Sequence, residues 1–212
     1  MRQPRLRRVV LALFLATAIS VSAQESPDEG TGEEEIFVPS YSLGDQTLAI
    51  NLGTFFPLFF AGGPEGIASS NLTVGGAGSL EWGSYITNEF KLGVEVGGSF
   101  SFTPNRRALF LVPLAAKASY IFSAYPFEFP VTLGLGMSFA RLDDLLKVDP
   151  FVKGGGSFFW NYSTQWAFGA NLSYWFIPQI YIDRETDVPT AGPEETRLGN
   201  FLELTLSALY HF

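Results

Sequence analysis

Between residues 89 and 102 the chain alternates almost residue by residue. Phe90, Leu92, Val94, Val96, Phe100 and Phe102 fall on one face, and Lys91, Gly93, Glu95, Gly97, Ser99 and Ser101 on the other. Successive side chains of a strand point to opposite faces, so a period of two means a strand with one apolar side. The pattern returns in 127–139, where Phe127, Phe129, Val131, Leu133, Leu135, Met137 and Phe139 oppose Glu128, Thr132, Gly134, Gly136 and Ser138. A weaker version runs through 108–122, interrupted by Leu111 and Ile121, and another through 165–177. Segments 47–56, 72–83, 150–161 and 200–212 bring the expected strands to eight.

These segments are long for a soluble protein, whose strands usually run about five or six residues, and they match the roughly 9–11 that a tilted strand needs to cross a bilayer. Their large residues share one face, while the other carries Gly, Ala, Ser, Thr and scattered charges. A soluble ligand-binding barrel packs the opposite way, with large side chains inside. In lipid an open sheet edge cannot be satisfied, so such a sheet must close. The expected fold is all-β: an eight-stranded antiparallel up-and-down transmembrane β-barrel. Connections at 84–88, 123–126 and 162–164 are short, those at 57–70, 141–149 and 178–198 long, and 103–107 intermediate, as expected of tight periplasmic turns alternating with larger outer loops. Aromatics cluster beside the short turns: Trp82, Tyr85 and Phe90, then Tyr120, Phe122 and Tyr125, then Trp160, Tyr162 and Trp166. This is the placing of an interfacial girdle.

The N-terminus has a different character. Arg2, Arg5, Arg7 and Arg8 precede a short apolar run from Val9 to Val21, and Val21-Ser22-Ala23 is a small-residue cleavage pattern. Residues 1–23 are expected to be a signal peptide, since the run is too short to span a bilayer as a helix. Residues 24–45, rich in Glu and without apolar period, are expected to be an acidic disordered tether, and 46–212 the barrel. Removal of four arginines moves the formal charge from −8 to −12, with nine basic residues left against 21 acidic. An acidic chain is repelled by nucleic acid at long range, which excludes it as a steered partner. The absence of cysteine excludes disulfides, zinc-thiolate sites and a cysteine nucleophile.

Candidate chemistry is sparse. The single histidine, His211, falls on the expected lumen face, and no histidine lies near the outer loops. General-base chemistry most often uses histidine, so no catalytic site, metal site or cofactor is expected. Gly154-Gly155-Gly156 lacks the Lys-Ser/Thr and the helix of a phosphate loop, and reads as a bend or close packing within a strand. The acidic residues of the loop 178–198 do not have the spacing of an EF-hand. The informative residues are the inward charges Glu81, Lys91, Glu95, Lys117, Glu128, Lys153 and Glu203. Four acids and three bases nearly balance, and Glu95, Lys117, Lys153 and Glu203 fall at comparable heights near mid-barrel. An eight-stranded interior is just wide enough to be filled by side chains, so a paired network plugging the lumen is expected, with a narrow gated pore as the alternative.

The chain ends Leu206-Ser-Ala-Leu-Tyr210-His-Phe212, alternating apolar residues up to a terminal Phe. This resembles the C-terminal strand of outer-membrane proteins, and the resemblance implies that Leu206, Tyr210 and Phe212 form a signal for the barrel-assembly machinery. Over 46–212 the architecture is similar to the small barrel families typified by the outer-membrane protein A transmembrane domain, the X and W proteins and the opacity proteins. The stretch Tyr41-Ser-Leu-Gly-Asp45-Gln also resembles small spirochaetal barrels. The expected place is the bacterial outer membrane, with lipid around the wall. The expected role is structural or surface-interacting. The alternatives are a conduit for small solutes or apolar molecules, and an adhesin whose outer loops bind a host or surface ligand.

Overall fold

The computed structural model describes residues 40–63, 66–142, 145–179 and 197–212. The expected signal peptide, most of the expected tether and the bulk of the last outer loop lie outside the described residues. Nine strands are described: β1 Gln46–Ala61, β2 Ile67–Ser69, β3 Gly75–Tyr85, β4 Phe90–Phe102, β5 Ala108–Ala124, β6 Phe127–Leu142, β7 Leu145–Asn161, β8 Trp166–Gln179 and β9 Arg197–His211. From β3 onward each pairs antiparallel with the next, and β1 pairs with both β3 and β9. The three-residue β2 only folds back onto the tip of β1. The wall is therefore a closed, antiparallel, eight-stranded barrel.

Alternation sets which side chains face out. Leu92, Val94 and Val96 on β4 and Val131, Leu133, Leu135 and Met137 on β6 are exposed, while Lys91 and Glu95, and Glu128 and Ser138, are buried on the same strands. An apolar surface that encircles the molecule would be costly in water and is stable against hydrocarbon. Trp82, Tyr120, Phe122, Tyr125, Trp160, Tyr162 and Trp166 are exposed beside the short turns, where a membrane interface places them. Tyr85, expected in that girdle, is instead buried. It shares the inward phase of Glu81 and Gly83 and so turns into the barrel mouth.

The wall is taller at its loop end than the alternation indicates. β1 runs on to Ala61, and the β6–β7 hairpin pairs as far as Leu142 with Leu145, so most of the expected loop 141–149 is strand. Pro57 is tolerated because β1 leaves β3 at Phe55, and its register against β9 shifts between Pro57 and Phe59. A proline needs such a free side or bulge. At the other end, the amide of Gln46 donates to the Phe212 carbonyl and the Phe212 amide to that of Gln46, at 3.1 and 3.0 Å.

Candidate functional site

The inner face is layered along the barrel axis. From Lys91 near the turn end to mid-height runs an unbroken chain of six alternating charges. Lys91 Nζ is 3.4 Å from Glu81 Oε1, and Lys117 Nζ donates to Glu81 and, at 2.7 Å, to Glu95 Oε2. Lys153 Nζ donates to Glu95 Oε1 and lies against Glu203 Oε2, both at 2.7 Å. The indole Nε1 of Trp175 ends the series, donating to Glu203 Oε2 at 2.6 Å, and Lys153 Nζ sits 5.2 Å from the Trp175 ring centroid. Three ammonium groups meet three carboxylates, and every inner member touches two groups of opposite sign. Buried charges are tolerable only with such complete pairing. Glu95, at the centre, is 2% exposed.

The strands place these charges. Glu81 stands directly across from Glu95 on β4, and Gly134 on β6 lies between Lys117 on β5 and Lys153 on β7. A side chain at 134 would begin 3.4 Å from Lys117 Cγ and 3.7 Å from Lys153 Cβ. The glycine leaves that space to the lysine stems.

One layer toward the loop end the lumen holds an apolar cluster, with Ser99, Ser138 and Asp149 buried beside it. Phe55, Leu111, Ala115, Phe151, Trp175, Ile177 and Phe201 form a buried cluster. The ring centroids of Phe55 and Phe151 lie 5.0 Å from that of Trp175, and Phe55 stacks on Phe201 at 5.1 Å. The alternation alone implies a lumen lined by small and polar residues, and sequence reasoning misses this cluster. Its signal is the loss of alternation: Tyr174-Trp175-Phe176-Ile177 is apolar on both faces, as strands buried on both sides are. Leu111 and Ile121 are likewise not faults in the pattern. Both point inward and are buried.

On the turn side of the charges lies a polar chamber of about 20 Å³, lined by Asn51, Glu81, Lys91, Lys117, Ser119, Thr132, Ser157 and Asn171 together with Ala49, Pro130, Phe159 and Leu209. Asn51 and Asn171 tie its floor together. Asn171 Nδ2 donates to Asn51 Oδ1 and to Thr205 Oγ1, both at 3.1 Å, and Asn51 Nδ2 donates to Ser79 Oγ at 2.9 Å.

Glu128 stands apart from the six-member chain, at the turn-end mouth. It accepts from Asn161 Nδ2 at 2.9 Å and from the Tyr41 hydroxyl at 2.6 Å. Tyr41 to Asp45, within the stretch expected to be tether, are held against the barrel: the Tyr41 ring stacks on Tyr85 at 4.1 Å and on His211 at 5.1 Å, and its amide donates to Asn88 Oδ1 at 2.8 Å. Burial, then the neighbouring Tyr85 and Glu128, push the Tyr41 phenol well above its ordinary pKa, so its hydroxyl remains a donor. His211 is thus part of an aromatic stack, and among the described residues no group of three or more His, Asp or Glu is placed to hold a metal ion. Gly155 of the glycine triplet packs in β7 against β8, where a Cβ would lie 2.4 Å from the Leu172 carbonyl oxygen. Leu206 and Phe212 are exposed on the outer face, and Tyr210 packs between Trp166 at 4.9 Å and Phe212 at 6.0 Å.

A protein-family model of spirochaetal type matches residues 25–210, nearly the whole chain. The chain belongs to that family. Two relatives, each called an uncharacterized protein, come from spirochaetes. One from Borreliella burgdorferi is 27% identical over 155 residues, covering 63% of this chain and 73% of the relative. One from Treponema pallidum is 22% identical over 212 residues, covering 95% and 93%. Among solved structures, Neisserial surface protein A is similar with a TM-score of 0.52 at 15% identity, over 80% of this chain and 97% of that one. That likeness is one of fold. This spirochaetal-type family member is an integral barrel of the bacterial outer membrane.

Proposed function

We propose that this protein is a closed, non-catalytic outer-membrane barrel with a structural or surface-interaction role. The observation that carries the reading is the double filling of the lumen: a neutral chain of six paired charges beneath a buried aromatic cluster. An ion crossing this interior would have to separate buried pairs and then pass a buried aromatic cluster, and both steps are costly. With the bore filled, recognition falls to the outer connections, since function resides in sites grafted onto a fold. A surface or host ligand would be met there. Purified protein in planar bilayers is expected to give no steady conductance. Steady openings of any size in pure protein overturn the plug.

The surface role has its own test. Deleting residues 180–196, between β8 and β9, is expected to leave heat-modifiable gel mobility intact while abolishing attachment of expressing cells to a host or neighbouring surface. Unchanged attachment removes that loop from the role. Leu206 and Tyr210 on β9, with Phe212 just after it, are read as the contact for the barrel-assembly machinery. Phe212→Asp is expected to lower the yield of assembled barrel several-fold in cells. Residues 1–23 are read as a cleaved signal peptide, so sequencing of the mature protein is expected to begin at Gln24.

A further inference from the structure

The groups around Tyr41 form a built receptor for a phenol ring. Tyr85 supplies a nearly parallel face, with 12° between the ring planes, and His211 a second at 9°. Glu128, 5% exposed, supplies a carboxylate acceptor fixed from its other side by Asn161. The backbone on either side is pinned as well. The Ser42 amide donates to Asp45 Oδ2 at 2.7 Å, the Gly44 amide to the Tyr85 carbonyl at 3.0 Å, and the Tyr85 amide to the Asp45 carbonyl at 2.8 Å.

This receptor lies on the turn side of the polar chamber. On four strands the mouth residue and the chamber residue are successive inward positions: Thr47 and Ala49 on β1, Glu128 and Pro130 on β6, Asn161 and Phe159 on β7, His211 and Leu209 on β9. Two residues of strand rise about 7 Å, so the Tyr41 ring lies one side-chain layer on the turn side of the chamber. The far side of the chamber is the ion chain itself, through Glu81 and Lys117. Its volume of about 20 Å³ exceeds the roughly 10–15 Å³ that holds one water, and its lining is polar enough to retain it.

We infer that Tyr41 is a lid: the chain's own tyrosine occupies a phenol-binding site at the turn-end mouth and closes a hydrated chamber beneath the ion chain to periplasmic solutes. The device is separate from the plug, because it governs access from the turn side up to the charges and not past them. A phenolic solute or a tyrosine of another chain would compete with Tyr41 for the same ring faces and the same carboxylate.

The native sequence has no cysteine, so single thiols report access directly. Ser157→Cys places one in the chamber, and Ala115→Cys places one in the apolar cluster beyond the charges. Each is treated in detergent micelles with a small cationic methanethiosulfonate, with heat-modifiable mobility as the check that the barrel is folded. Adding Tyr41→Ala is expected to speed labelling at 157 at least tenfold and to leave 115 unchanged. Tyr41→Phe, which keeps the ring and loses the bond to Glu128, is expected to fall between. Added p-cresol is expected to slow the Tyr41→Ala protein back toward the native rate. Ser119→Cys, also in the chamber, serves if the variant at 157 does not fold. Equal labelling with and without Tyr41, or equal acceleration at 157 and 115, overturns the lid. Fast labelling at 115 with Tyr41 in place overturns the plug and leaves the lid to be judged at 157.

Discussion

Glu95 is the residue on which the lumen turns, because it alone joins the two halves of the ion chain, Lys117 on one side and Lys153 on the other. Glu95→Ala leaves three ammonium groups facing two carboxylates in a buried space. Its expected cost is about 3–5 kcal/mol, the range for breaking a buried pair, read as a lowered urea midpoint in micelles. Adding Lys153→Met restores neutrality, and the double variant is expected to be more stable than Glu95→Ala alone. Independent, additive losses would show that these two charges do not interact. Trp175→Phe keeps the ring against Phe55 and Phe151 but removes the donor to Glu203, and is expected to cost about 1.5–3 kcal/mol. Gly134 gives the complementary case. A methyl there makes ordinary contacts, so Gly134→Ala is expected to be near neutral, whereas Gly134→Leu drives atoms between the lysine stems and is expected to cost about 1–3 kcal/mol.

At the scale of the strands, the same substitution on the outer wall costs differently at different depths in the membrane. Leu133→Arg sets a charge in the hydrocarbon at the level of Gly134, and is expected to cost about 2–4 kcal/mol in lipid refolding measurements. Arginine at the exposed interfacial position Tyr125 is expected to cost far less. The period of two makes this face legible in the sequence, because lipid demands an apolar residue at every second position along the wall. It also brings out the charges, since Glu or Lys in such a strand has only the lumen to enter. What does not show is where alternation fails for a good reason. Phe55, Phe151 and Phe201 are inward aromatics beside outward ones, and a pattern of apolar against polar cannot tell a filled bore from a miscounted face. The strand ends escape for a related reason: Pro57 and the start of β7 at 145–149 read as loop, yet they belong to the part of the wall that extends at the loop end. Tyr41 carries no periodic signal, since a single residue outside the strands has no neighbours to give it a phase.

For the molecule as a whole, the wall and its filling are two conditions on one number. β1 and β9 meet antiparallel along almost their full lengths, from Thr47 with His211 to Ala61 with Leu198. Inserting one strand would turn that seam parallel, so descendants of such a barrel gain or lose whole hairpins. Each added hairpin widens the bore, because diameter grows roughly linearly with strand number. Lys153 would then no longer span from Glu95 to Glu203, nor Phe55 reach both Trp175 and Phe201. A lineage that enlarged this barrel would trade a plugged interior for a flooded one in a single step, and the packing inside thereby holds the ancestry of the wall at eight strands.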